Sequence, residues 1–289
     1  MATEPRLIAI VGPTASGKTS LSLEIARQWN GEIICADSRT VYKGMDIGTA
    51  KPTDEERMLV PHWGLDLVEP GELFTVADFQ RYAKNAIANI QSRGKLPLLV
   101  GGTGLYADAV LYSYTFGGPS NPERRTELEN MTTEDLVSYC IVNNIQLPEN
   151  SKNKRHLIRV IERKSISTIS KSSLPGGYKV VGLATGMPRL RTRIAERTEQ
   201  LFDSGVANEA TLLGKRYGWN SEAMTGNVYP LLRRYLEDEI SLSETKDLFT
   251  TADYQLAKRQ MTWFRRNPDI MWTTLTEASS YIKSLLASE

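Results

Sequence analysis

Apolar residues in this chain follow two spacings in turn: short unbroken runs, and longer stretches in which they recur every three or four residues. Arg6–Val11 is a run that ends in a glycine loop, and the segment Lys18–Trp29 behind it has helical periodicity. Glu32–Ala36 is a second buried run, ended by Asp37. Val76–Arg93 reads as a helix, and Leu96–Val100 as a third strand stopped by Gly101-Gly102. Parallel neighbours need a crossover between them, so this alternation predicts an α/β fold with a parallel, doubly wound sheet. From Tyr112 the character changes. The loop signals Gly117-Gly118-Pro119 and Asn121-Pro122 lead into two short polar helices, Pro122–Asn130 and Thr133–Asn143, before Pro148. A small helical insertion is therefore expected over 112–150, within a core made of 1–111 and 151–289. Tyr178–Ala184 returns to strand character, and Arg189–Leu286 reads as mainly helical with a break around Tyr217–Pro230.

Composition narrows the class. With 289 residues, 40% hydrophobic and 24% charged, the chain can bury a large core. Its longest apolar runs are strand-sized, too short to span a bilayer, and the first residues carry no charged-then-apolar leader pattern. Two cysteines, Cys35 and Cys140, make no disulfide framework, and two histidines, His62 and His156, leave few zinc ligands. A cytoplasmic monomer without a membrane partner is the expectation. The net charge of +1 is uninformative, but its distribution is uneven: twelve Lys and Arg lie between Lys152 and Arg197, opposed only by Glu162 and Glu196. Such a stretch suits either a polyanion-binding face or a solvated helical surface.

Chemistry enters with Gly12-Pro13-Thr14-Ala15-Ser16-Gly17-Lys18-Thr19, a complete G-x-x-x-x-G-K-T between strand and helix. Its glycines let backbone N–H groups converge on a phosphate chain. Lys18 offsets the phosphate charge, the helix N-terminus adds a favourable dipole, and Thr19 offers a hydroxyl to Mg²⁺. The motif fits a nucleoside triphosphate or any other diphosphate. Asp37-Ser38 follows the second strand directly, and ligands of open α/β sheets bind at the carboxyl ends of strands. That carboxylate can accept a proton from a nucleophile or hold a metal through water, where an ordinary Asp would cap a turn. Gly101-Gly-Thr-Gly104 is a tight turn or a second ligand loop at the same sheet edge. On the helix around Lys258–Arg266, Lys258, Thr262 and Arg265 form one stripe and Arg259, Trp263 and Arg266 another, over a packed face of Ala257, Met261 and Phe264. Cations interleaved with an aromatic suit RNA.

In order along the chain, the P-loop, Asp37–Pro52, Pro61-His62, Val76–Phe79, Gly101–Tyr106 and Lys258–Arg265 resemble the tRNA dimethylallyltransferases. The likeness is dense over 6–111 and strong again over 231–266. It implies that the P-loop holds dimethylallyl diphosphate, not ATP, with Mg²⁺ as cofactor and tRNA as acceptor. It further implies that Asp37 takes the proton from adenine N6, next to the anticodon on its 3′ side. Lys18, the loop N–H groups, Thr19 and one of Arg193 or Arg197 would stabilise the departing diphosphate, and Thr14 matches a position near it. Implied tRNA contacts are Asp37, Ser38, Arg39, Thr40, Thr103, Arg155, His156, Arg159, Lys258, Arg259, Gln260, Trp263 and Arg265.

The chain also departs from the family. Thr40 stands in a segment that commonly carries Gln, and Gly226–Pro230 lacks the cation of the usual Ile-Gly-Tyr-(Lys/Arg)-Glu. Asp253-Tyr254 replaces an arginine often found before the Ala-Lys-Arg-Gln run. Three other activities share some of these features: prenylation of free AMP, phosphorylation of a small molecule by ATP, and RNA binding without turnover.

Overall fold

The computed structural model describes residues 6–116, 122–148, 150–163 and 172–287. It divides into two compact units, Met1–Tyr112 with Ser173–Glu289, and Ser113–Ser172.

The first unit is built on one six-stranded, all-parallel sheet. Its strands are β1 (Leu7–Val11), β2 (Gly31–Cys35), β3 (His62–Trp63), β4 (Leu96–Gly101), β5 (Tyr178–Leu183) and β6 (Ile270–Thr273), in the order β3-β2-β4-β1-β5-β6. Helices α1 (Lys18–Gln28), α2 (Asp54–Leu59), α3 (Val76–Ser92) and α4 (Gly104–Leu111) belong to the N-terminal half. All five residues of β1 are buried, which requires both faces of the sheet to be covered. Alternate side chains divide between the faces. Ile8, Ile10, Ile33, Leu98 and Val181 join Leu21 and Ile25 of α1 in one cluster. Leu7, Ala9, Ile34 and Leu99 point the other way and are equally buried. There α3 and α4 pack together, with Phe79 stacked on Tyr106 at 4.3 Å between ring centroids. The doubly wound α/β sheet expected from the alternation is present.

One polar group inside this sheet needs compensation. Glu32 on β2 is buried, and its carboxylate accepts from both terminal nitrogens of Arg93, from Lys95 Nζ and from Trp63 Nε1, at 2.5–2.8 Å. The Arg93 guanidinium, opposed by burial and helped by Lys95 and Trp63, holds it down at about 2.

Two differences from the sequence reading concern the C-terminal half and the insertion. After α5 (Pro122–Asn130), α6 (Thr133–Val142) and α7 (Lys154–Arg163), the chain continues with α8 (Met187–Asp203), α9 (Val206–Tyr217), α10 (Tyr229–Leu236), α11 (Leu242–Phe264) and α12 (Leu275–Leu286). The half is mainly helical, but β6 adds an edge strand that was not anticipated. Only Ile270 of its four residues is buried, so the segment has no strand-like run. Secondly, the smaller unit extends to Ser172, beyond the expected end at 150. Leu157, Ile158 and Ile161 of α7 are buried against Leu128, Leu136 and Cys140 of α5 and α6. α5 is too polar to make a core with α6 alone, and α7 supplies a further apolar face. Residues 117–121 of the anticipated loop, with Lys164 and Lys171, lie outside the described residues.

Candidate active site

At the carboxyl ends of β1, β2 and β4 the first unit opens into a cavity of ≈ 970 Å³. The P-loop forms one wall. Gly17 caps α1 with φ +97°, a conformation that a side chain would strain, and Ala15 is held at φ 59° despite its Cβ. Two arginines from α8 brace the loop: Arg193 Nη1 donates to Ala15 O at 3.3 Å, and an Arg197 Nη donates to Thr14 Oγ1. Lys18 folds back so that Nζ donates to Pro13 O at 2.5 Å. Burial pushes its ammonium down to about 7, a fall that Asp37 opposes and Arg197 reinforces. Ser16 Oγ and Arg197 Nε are buried without a hydrogen-bond partner. A buried hydroxyl and a buried guanidinium Nε–H left without partners beside a lowered ammonium are the features of an anion cradle.

Asp37 stands across the same cavity, held by a turn after β2. Its Oδ1 accepts from Arg39 N at 2.8 Å, and Ser38 N donates to Thr103 Oγ1 at 3.1 Å. Thr40 is buried, with its hydroxyl near Asp37 O. Cys35 lines the cavity too, but burial, with Asp37 adding to it, pushes its thiol up to about 12, so it is no nucleophile at neutral pH.

Most of the residues singled out in the sequence meet here. Thr14 to Thr19, Asp37 to Thr40, Thr103, Arg193, Arg197, Arg259, Gln260 and Trp263 all line the cavity. Gly12 and Pro13 belong to the P-loop and are buried, but they do not line the cavity. Lys258 is exposed on α11, and Arg265 is exposed where it caps that helix. Arg155, His156 and Arg159 are on the exposed side of α7, in the smaller unit. The cation-rich stretch thus divides between units and is not one continuous helix face.

Several of these side chains have internal tasks. Gln260 Oε1 accepts from Thr14 N at 2.8 Å, tying α11 to the P-loop. Trp263 Nε1 donates to Asp108 Oδ2 at 2.7 Å, and its indole lies so close to Gly104 that any Cβ there would overlap it. Gly102 and Gly104 therefore allow close packing of α11, Gly101 allows the approach of the Ala36 backbone, and all three also line the cavity.

One group and one pairing were not visible in the sequence. Glu209 of α9 accepts from Asp46 N, Ile47 N and Gly48 N at 2.7–2.9 Å, and from Tyr229 Oη at 2.8 Å, pinning the loop that follows Asp37. Asn227 Nδ2 donates to Asp253 Oδ1 at 2.9 Å, so the two departures from the family pattern are paired on the cavity wall. A carboxylate four residues into α9 has no local signal of either role.

Among the described residues no three His, Cys, Asp or Glu side chains cluster as a metal site, and no helix is long and apolar enough to cross a membrane. Mg²⁺ does not need such a cluster, because it usually takes one or two protein oxygens together with substrate phosphates and water. Thr19, exposed beside the buried, unpartnered Ser16 hydroxyl, fits that demand.

Known proteins share this architecture. The sequence profile of the IPP transferase family matches residues 40–267, and that of isopentenyl transferases matches residues 5–60. The tRNA dimethylallyltransferase of Bacillus licheniformis is 38% identical over 95% of this chain and 92% of its own length. That of Roseiflexus sp. is 42% identical over 92% of both chains. The crystal structure of the full-length tRNA isopentenylpyrophosphate transferase from Bacillus halodurans matches with a TM-score of 0.75 and 34% identity, covering 98% of this chain and 97% of that one. A eukaryotic dimethylallyltransferase solved acting on tRNA has a TM-score of 0.76 at 23% identity over 95% of this chain and 75% of that one, a likeness of fold.

Proposed function

The chain belongs to the IPP transferase family, and on that premise we propose that it moves a dimethylallyl group from its diphosphate to N6 of an adenosine in tRNA. One observation carries this reading: the anion cradle and the Asp37 carboxylate line a single cavity.

Adenine N6 is a weak nucleophile because its lone pair is delocalised into the ring. As the N6–C bond forms at the allylic carbon, Asp37 takes the N6 proton as general base. The allylic C–O bond breaks on the other side, and its electron pair leaves with the diphosphate. Charge gathers there, where Lys18, the P-loop N–H groups and the Arg193 and Arg197 guanidiniums are already oriented. Thr14 and Thr19 contribute hydroxyls to the same wall. Thr19 would hold Mg²⁺ that arrives with the diphosphate and adds positive charge to the leaving group. Phe249 and Leu256 give the cavity an apolar stretch suited to a prenyl chain. The acceptor base must leave its stack to enter, and Arg259 and Trp263 at the wall offer it charge and an aromatic face. Arg39, Lys258 and Arg265, with Arg155, His156 and Arg159 of the smaller unit, suit the tRNA backbone.

Incubating the protein with Mg²⁺, dimethylallyl diphosphate and unmodified tRNA, followed by mass analysis of the nucleosides, tests the reading. A prenylated adenosine next to the anticodon is expected. Prenylation of AMP with no reaction on tRNA, or consumption of ATP instead of the prenyl donor, would replace it.

A further inference from the structure

Helices α8 and α11 lie side by side, joined where Thr198 Oγ1 and Thr250 Oγ1 meet at 3.0 Å. One turn further along α11, the half-buried Tyr254 draws two cations. Arg191 of α8 brings its guanidinium carbon to 5.9 Å from the ring centroid, and Lys258 of α11 brings Nζ to 4.7 Å. Both cations are exposed, and neither side chain makes an ion pair or hydrogen bond among the described residues. Elsewhere on the same helix pair a surface lysine is matched, Lys246 with Glu199 at 2.5 Å. Two like charges gathered on one aromatic ring repel each other. The ring face returns only about 0.5–1 kcal/mol for each cation at an exposed site. An anion held between them would turn that repulsion into attraction.

The shape of the patch indicates what kind of anion. Tyr254, Lys258 and Thr262 of α11, with Arg265 at its cap, form one exposed-to-half-exposed row about 16 Å long at the rise of a helix. A row suits a chain of phosphates better than a single small ion. It also borders the cavity, because Asp253 from the same turn of α11 lines it. A strand delivering a base into the cavity would run along this row.

We infer that Arg191 and Lys258 clamp a phosphodiester of the tRNA strand whose base enters the cavity, with Tyr254 as the positioning residue that holds the two cations together. This rests on tRNA being the acceptor. Arg191 and Tyr254 were not among the contacts implied by the sequence, so they test it independently of Lys258.

The experiment is tRNA affinity as a function of salt, for wild type, Arg191→Ala, Arg191→Lys, Tyr254→Phe and Tyr254→Ala, with the KM for dimethylallyl diphosphate measured alongside. Each phosphate contact contributes a slope of about 0.7–0.9 in log affinity against log salt. Arg191→Ala should lower the slope by that amount and weaken binding about fivefold at 0.15 M salt. Arg191→Lys should recover the slope, Tyr254→Phe should match wild type, and Tyr254→Ala should fall with Arg191→Ala, all at unchanged donor KM. A wild-type slope in Arg191→Ala, with tRNA still bound and modified, overturns the clamp alone. Absence of salt-dependent tRNA binding in wild type overturns both the clamp and the tRNA reading.

Discussion

Filling the P-loop should draw a proton from solution onto Lys18. Burial holds this lysine at about 7, with Asp37 pulling it up and Arg197 pushing it down. A group titrating there is protonated in about one molecule in ten at pH 8, and in about nine in ten at pH 6. A bound diphosphate favours the ammonium strongly, so binding should take up about 0.9 proton at pH 8 and about 0.1 at pH 6. Affinity should then weaken towards tenfold per pH unit above 7. The assay is calorimetric titration of pyrophosphate with Mg²⁺ in buffers of different ionisation enthalpy, where the dependence of heat on buffer gives the protons exchanged. Lys18→Arg is the control, since arginine stays charged throughout and takes up nothing. Pyrophosphate's own ionisation is common to both proteins, so their difference isolates Lys18. Equal proton counts in wild type and Lys18→Arg at pH 8 would refute the reasoning. The same depressed value has a sign in stability. Between pH 7 and about 10 the unfolded chain binds a proton that the folded one does not, so the ligand-free fold gains from Lys18 as pH rises through that window.

Other expectations test separate parts of the site. Asp37→Ala should lower turnover by about 10²–10⁴, the usual worth of a general base, with tRNA affinity nearly retained; wild-type turnover would remove Asp37 from that role. Chelating Mg²⁺ should abolish transfer while tRNA affinity, read by filter binding, stays the same, and undiminished transfer would exclude the metal. Gly104→Ala drives a methyl into the Trp263 indole and should destabilise by about 1–3 kcal/mol in urea unfolding, so an unchanged midpoint would contradict the packing described. Glu209→Ala leaves the buried Tyr229 hydroxyl and two half-buried loop N–H groups without their acceptor. At about 1–2 kcal/mol each the loss is about 3–6 kcal/mol, against about 1 kcal/mol for Tyr229→Phe, and a smaller loss for the first than the second would refute the clasp.

Much of the fold could be read from neighbours along the chain. Runs such as Leu7–Val11 and Leu96–Gly101 are buried on both faces, and that demand shows directly as unbroken apolar sequence. The P-loop was legible for the same reason, because its geometry depends on residues within eight positions, and Asp37 followed from being next to the end of a strand. The failures came where burial was supplied from elsewhere. The edge strand β6 takes its order from β5, and α7 buries its apolar face against α5 and α6, from which the expected boundary at 150 had separated it.

The sequence alone therefore determined the parallel sheet, the P-loop and the carboxylate at the end of β2, each a matter of short-range pattern. Only the tertiary structure decided how these parts are held in register. Gln260 reaches a P-loop amide 246 residues away, and Glu209 clasps a loop 163 residues away. A hydrogen bond is a property of two atoms brought within 3 Å or so. Periodicity cannot report which distant carboxylate or amide will arrive there, because that depends on how the layers pack.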